Sequence, residues 1–203
     1  SMRIGLRLLL GFFLVLGLAL FVVLRVLLDE VKPGTRLAME DSLVDAAYTL
    51  AQLATPDMKA GTIANGFFAR SLQGLPTARP GATIGGFRKD SIDYRITITD
   101  AEGIVRFDTQ PQAIGQDHSR WNDVVRTLRG EYGARSSPAS PYDPDNTVMH
   151  VAAPIRDGDR TIGVLTVSRP NQRLQPYIDR SEQRILRWSW VLLGLSLLIG
   201  LLF

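Results

Sequence analysis

Two uncharged apolar runs bracket a polar middle in this chain. Leu8 to Leu24 carries no charge, and Val26-Leu27-Leu28 continues the run past Arg25. Residues 8–28 would make about 31 Å of helix at about 1.5 Å per residue, matching a hydrocarbon core of about 30 Å. Arg25 lies within one turn of Asp29-Glu30, so its stem can follow lipid while the guanidinium reaches the interface. Arg3 and Arg7 precede the run and place the N-terminus in the cytoplasm. The rival reading is a cleaved signal peptide. That needs a shorter hydrophobic stretch ending in a small-residue cleavage site, and Arg25-Val26-Leu27-Leu28-Asp29 offers none. The second run, Trp188 to Phe203, gives about 24 Å of helix, short of a full span. The chain is therefore expected to continue past Phe203, with Trp188 and Trp190 as an interfacial belt. Its rival is the buried C-terminal helix of a soluble protein. Ser1 ahead of Met2 reads as an addition. The expected organisation is a first transmembrane helix over 8–28, an extracytoplasmic domain over 29–187 and a second transmembrane helix over 188–203.

The middle changes period along its length. Leu43, Ala47, Leu50 and Ala54 recur at helical spacing, with Glu40, Asp41 and Asp45 off the stripe. This predicts a helix from Arg36 to Ala54 that continues the first span, with Pro33 a kink point and Thr55-Pro56 the stop. Residues 61–86, rich in Gly, Pro and Ala, read as loop with a helical turn or two around Phe67-Phe68-Ala69. From Tyr94 the period becomes two: Tyr94, Ile96 and Ile98 alternate with Arg95, Thr97 and Thr99. Asp100-Ala101-Glu102-Gly103 turns the chain into a returning strand over Ile104–Thr109. A helix follows over Trp121–Leu128, ended by Gly130, then a strand over Tyr132–Ser137. A polar loop containing Pro138, Pro141 and Pro144 leads to two strands, Thr147–Ile155 and Thr161–Ser168, joined by a hairpin at Asp157-Gly158. Gln172 to Arg187 returns as helix. Strands joined by hairpins imply an antiparallel five-stranded sheet, with helices covering one face of it, in the α+β class.

Charge and composition remove several function classes. The chain holds 23 Lys+Arg against 20 Asp+Glu. Three of the cations, Arg3, Arg7 and Arg25, belong to the first apolar run, and the remainder balances the acids, so no basic field for nucleic acid exists. The absence of cysteine excludes disulfides, thiol nucleophiles and cysteine-ligated zinc. Asp143-Pro144-Asp145-Asn146 lacks the spacing and closing Glu of a calcium loop. Asp117-His118-Ser119 is no hydrolase triad, because sequence neighbours rarely face one another and no nucleophile elbow is present. No metal site and no catalytic residue is expected.

Several segments carry a resemblance: Glu30-Val31-Lys32-Pro33-Gly34, Ile84-Gly85-Gly86, Thr99-Asp100-Ala101 and Gly115-Gln116-Asp117. Ser119-Arg120-Trp121-Asn122-Asp123-Val124 and Tyr132-Gly133-Ala134-Arg135-Ser136 are its most specific parts. Together with Val151-Ala152-Ala153-Pro154-Ile155 and Ile162-Gly163-Val164-Leu165, they resemble the extracytoplasmic PAS-like, or Cache-type (PDC), sensor region of two-component sensor histidine kinases. The resemblance implies long N- and C-terminal helices around the sheet and a bacterial inner-membrane protein with a periplasmic sensor. It implies a carbon-source-related or other envelope signal. It also implies a symmetric homodimer, for which the stripe Leu43 to Ala54 is the expected surface, and a cognate response regulator as partner. The kinase part, with its ATP and Mg, would lie beyond Phe203; no cofactor is expected in these residues. Rival readings attach the sensor to a chemoreceptor or cyclic-dinucleotide enzyme, or make the chain a membrane-anchored assembly factor without a small ligand.

In sensors of this kind the ligand sits on the concave sheet face, beneath the segment between the second and third strands, which corresponds here to Gly115–Gly130. That segment offers Arg120 and Trp121, the next strand offers Arg135, Ser136 and Ser137, and alternation puts His150 with Val148 on one face. Guanidinium, ring and hydroxyl together suit a small anionic ligand, carboxylate or phosphate, because arginine presents a bidentate fork. The plainer reading pairs Arg120 and Arg135 with Asp117, Asp123 or Glu131, makes Trp121 a core anchor and His150 a satisfied sheet histidine. His118 is expected to face solvent. An accessory membrane protein is the alternative partner.

Overall fold

The computed structural model describes the backbone of residues 2–171 and 175–202, and the side chains of residues 3–29, 34–171 and 183–202. The predicted start of the last helix at Gln172 lies outside the described residues. The chain divides into two compact units, Ser1–Leu37 with Leu174–Phe203, and Ala38–Arg173.

The first unit contains the beginning of helix α1 (Met2–Ala60) and helix α4 (Gln175–Leu202). Both are long and apolar enough to cross a membrane by length and composition. They meet through small residues. A Cβ on Gly17 would collide with Ser196, and one on Gly200 would come within 2.9 Å of Leu10. Phe21 and Trp190 pack with ring centroids 5.6 Å apart. The polar atoms on α4 are satisfied within the helix: Ser189 Oγ donates to the Ile185 carbonyl at 2.8 Å and Ser196 Oγ to that of Leu192 at 2.9 Å. Leu8, Phe12 and Leu201 stay uncovered, which suits lipid.

In the second unit α1 does not stop at Thr55-Pro56 but runs to Ala60. Pro56 is tolerated, and the stop is Gly61, whose φ of 72° only glycine adopts freely. There Thr62 N–H reaches the Asp57 carbonyl at 2.9 Å and Gly61 N–H that of Met58 at 3.3 Å, the two closing bonds of a Schellman motif. The Asp57 carboxylate accepts from Phe68 N–H (2.7 Å) and Thr62 Oγ1 (2.8 Å), tying the helix end to α2 (Phe67–Ser71).

Residues 61–86 hold more order than a loop. Beyond α2 and a 3-10 turn at Leu75–Thr77, strands β1 (Ala82–Ile84) and β2 (Phe87–Lys89) pair across Gly85-Gly86, both at positive φ. A two-glycine connection of this kind is a hairpin signal.

The main sheet is antiparallel and five-stranded. Its strands are β3 (Arg95–Asp100), β4 (Val105–Asp108), β5 (Gly133–Ser140), β6 (Asp143–Asp157) and β7 (Arg160–Pro170), in the order β4-β3-β7-β6-β5. The predicted proline loop is mostly strand. Pro138 lies in β5 and Pro144 in β6, leaving only Pro141-Tyr142 to turn the chain. Proline fits because β5 is an edge strand and Pro144 lies where β6 runs past the end of β7.

Helices cover both faces of this sheet, not one. Ile96, Ile98, Val151, Ala153, Leu165 and Val167 form an apolar face whose members are at most 1 % exposed. Its cover includes α1, since a Cβ on Gly163 of that face would strike Met58, and α2, whose Phe68 ring meets Phe107 at 5.4 Å. Leu43, Ala47 and Ala54 are fully buried within this one chain. The stripe expected to form a dimer surface therefore serves the domain's own core, because an apolar sheet face must be covered within the monomer. Helix α3 (Asn122–Leu128) lies on the other face, over β5, β6 and β7, where Val124 and Leu128 pack on Ala152 and Val164. Gly133 permits this approach, since a Cβ there would clash with the Asp123 carbonyl and Thr127.

Candidate functional site

Sheet register builds the site. Arg135 pairs with His150, His150 with Ser168 and Ser168 with Arg95, so one transverse row of polar side chains crosses β5, β6, β7 and β3. The adjacent row runs Gly133, Ala152, Thr166, Thr97, Asp108. Strand β7 is central in the sheet, so these rows lie across its middle. Their polar groups face a cavity of about 430 Å³ roofed by residues 110–123. A larger, more open cleft of about 630 Å³ lies beside the β3–β4 and β6–β7 turns. Four of its charges are paired, Lys59 with Asp157 at 3.3 Å and Arg106 with Asp100 at 2.7 Å, and the smaller cavity holds the more distinctive chemistry.

Four of the six predicted residues line the cavity together: Arg135, Trp121, Ser137 and His150. Arg120 and Ser136 are exposed and do not line it; Ser136 alternates onto the other face of β5. Arg135 donates from Nε to Asp123 Oδ1 at 2.9 Å, and its guanidinium lies 4.3 Å from the Trp121 ring centroid. Its terminal amino groups make no hydrogen bond to the described residues and remain available to a ligand. Asp123 is 2 % exposed and also accepts from Thr166 Oγ1 at 3.2 Å.

His150 lies mid-row, with Nε2 2.8 Å from Ser137 Oγ and Nδ1 2.5 Å from Ser168 Oγ. Burial, then the Arg135 charge, pushes its pKa down to about 4, so the ring is neutral near pH 7. His118 does not face solvent. It is 5 % exposed and stacks on Trp121, centroids 3.5 Å apart. The cause is backbone pairing: His118 N–H bonds to Gly103 O and Val105 N–H to Gln116 O, zipping this loop to the start of β4 and turning the ring inward. Burial lowers its pKa as well.

Sequence reasoning missed Arg95, Ser168, Asp123 and Asp108 as site groups. Asp108 accepts from Arg95 Nε and Nη2 at 3.0 and 2.6 Å and from the backbone N–H of Gln110 and Ala113 at 2.9 and 3.1 Å. It fixes the roof segment at Pro111–Ala113 and, through its hydrogen bond, holds the Arg95 guanidinium firmly charged. The signal was present in the strand pattern: Arg95, Thr97, Thr166 and Ser168 put polar groups on one face of two inner strands.

No family model matches the chain. Its sequence is 51% identical over 199 residues, 98% of its length, to Sensor protein CreC of Escherichia coli strain K12. The likeness to this sensor protein runs through nearly the whole chain. The chain spans 42% of that relative's length. Among solved structures, the sensor domain of the Vibrio cholerae histidine kinase DctB superposes with a TM-score of 0.51 at 13% identity, covering 74% of this chain and 56% of the other. That likeness is one of fold. The Escherichia coli DcuS sensor domain gives a TM-score of 0.39 at 19% identity over 69% of this chain and 97% of the other, and no argument rests on it. The chain thus matches a sensor protein over nearly all of its length and has a sensor-domain fold, and the cavity is the place in that fold where charged and hydroxyl groups converge.

Proposed function

We propose that this chain receives a small anionic ligand in the cavity over the polar sheet face, as the extracytoplasmic sensor of a membrane-bound histidine kinase. The observation that carries the reading is the row Arg135–His150–Ser168–Arg95, which sets two guanidinium groups, an imidazole and a hydroxyl beneath one roof. The signal is carbon-source-related, in keeping with the similarity to CreC, and the contacts are Arg135, Ser137, His150 and the edge of Trp121. The chain sits in a bacterial inner membrane, spanning at 8–28 and again from 188, with its N-terminus cytoplasmic and residues 29–187 periplasmic. It acts as a homodimer. Ligand binding favours one arrangement of α3 and the sheet, and a shift of about 1–2 Å in the second span passes this on. The kinase portion, beyond these residues, uses ATP and Mg and phosphorylates a response regulator.

Two results test this reading. The full chain in lipid nanodiscs, screened by thermal shift against small carboxylates and phosphates, should gain about 2.7 kcal/mol at a ligand concentration 100-fold above Kd. Arg135→Gln should abolish that gain, and a flat response across the whole panel would remove the anion reading. For topology, the cysteine-free sequence allows clean labelling. Tyr142 is 96 % exposed at the β5–β6 turn. In Tyr142→Cys an impermeant maleimide added to spheroplasts should label the chain fully, and labelling only after lysis would put the domain on the wrong side.

A further inference from the structure

The two arginines inside the cavity are each balanced by a carboxylate before a ligand enters. Asp108 closes Arg95 with two bonds, and Asp123 closes Arg135. At the rim, Asp93 is held by Lys89 at 2.7 Å, with Arg169 3.9 Å away. Inside the cavity an entering anion therefore brings a charge beyond what the Arg95–Asp108 and Arg135–Asp123 pairs compensate, and burying an uncompensated charge is strongly unfavourable. A group that can change its own charge is needed, and two histidines line the cavity.

Their surroundings differ. His150 has a hydroxyl on each ring nitrogen, Ser168 on Nδ1 and Ser137 on Nε2. A hydroxyl both donates and accepts. In the neutral ring one serine donates and the other accepts, and in the charged ring both accept, so protonation breaks no hydrogen bond. The groups facing His150 are Arg135 from β5, Arg95 from β3, Asp123 from α3 and His118 from the roof. Burial and the two arginines oppose a further positive charge there, and an anion between them relieves that opposition. His118 has only Gln116 Oε1 on Nε2, at 3.3 Å, and no hydrogen bond from Nδ1 to the described residues. Charging His118 would leave a buried N–H without an acceptor.

We infer that the cavity binds its anion together with one proton, taken up by His150 between Ser137 and Ser168. The inference rests on the anion-receptor reading of the cavity. It makes the occupant, in effect, the acid form of the ligand, and affinity rises as pH falls, by about tenfold per pH unit at the steepest.

The test uses methanesulfonate and inorganic sulfate as probes, since neither titrates between about pH 5 and 7. Their binding to the full chain in nanodiscs is followed calorimetrically in two buffers of different ionisation heat, which counts protons. The expected uptake approaches one proton per bound anion near pH 5.5, roughly midway between the ordinary histidine pKa and the lowered one. His150→Gln should remove the uptake and flatten the pH dependence, while His118→Gln should retain both. Binding with heats independent of buffer, or uptake that persists in His150→Gln, overturns the inference and leaves the receptor reading standing. If neither anion binds at any pH, the receptor reading fails and the proton linkage fails with it.

Discussion

Asp108→Ala is expected to destabilise the sensor domain by about 3–5 kcal/mol, the usual cost of removing one partner of a buried ion pair. The side chain of Asp108 is fully buried and that of Arg95 is 31 % exposed. Four N–H groups converge on that one carboxylate. The alanine leaves a guanidinium short of its counter-charge and two backbone donors without acceptors, and each loss counts separately. Urea denaturation of the full chain measures the effect. Asp90→Ala is the comparison, because the Arg88–Asp90 pair is 69 % and 53 % exposed and solvent screens it; there the change should stay below about 1 kcal/mol. Similar losses in the two variants would show that Asp108 is an ordinary surface acid. The functional consequence is local: with Pro111–Ala113 released, the roof over the polar row loosens, and anion binding should be lost even where the domain still folds.

Much of the fold was legible because its signals are local. The period-two alternation at Tyr94–Thr99, the turn before Ile104, the Asp157-Gly158 hairpin and the uncharged terminal runs each need only a short window. The misread segments depend on distant neighbours. Pro56 looks like a stop until Gly61 supplies the true one, and Pro138 and Pro144 look like loop until the strand order shows that no ladder hydrogen bond is needed from them. The stripe at Leu43 and Ala47 is a correct helix signal, yet spacing alone cannot say whether the same chain or a second copy covers it. Sheet faces Ile96, Ile98 and Leu165 decide that.

The site follows the same division. Trp121, Arg135, Ser137 and His150 could be picked out because they cluster by type on neighbouring segments. Arg95 and Ser168 join them only through register, since a slip of one residue in β7 would turn Ser168 to the apolar face and bring Val167 or Arg169 into the row. Asp123 stands in helix spacing as an ordinary first-turn acid. Its carboxylate becomes a site group because Gly133 lets α3 approach β5 closely enough for Arg135 to reach it.

Stability should fall as the medium is acidified from neutrality, and His150 should account for much of the fall. In the folded, ligand-free domain its pKa is about 4, held down by burial and by Arg135, against 6.5 for the ordinary ring. Between those two values the unfolded chain binds a proton that the folded chain refuses. Stability is thus fully present above about pH 6.5 and is lost progressively as pH drops toward 4, by roughly 3 kcal/mol in all. His118, also lowered by burial, adds a contribution of the same sign. The measurement is the unfolding free energy of the full chain at several pH values, for the parent and for His150→Gln. Carboxylates titrating at the acid end act alike in both proteins and cancel in the difference. The glutamine carries no titrating proton, so its curve should be flatter and the two should converge as pH falls. Parallel curves would mean that the ring between Ser137 and Ser168 already accepts a proton in the empty cavity. A bound anion should shrink the parent's acid loss, because it lets the folded state hold the same proton as the unfolded one.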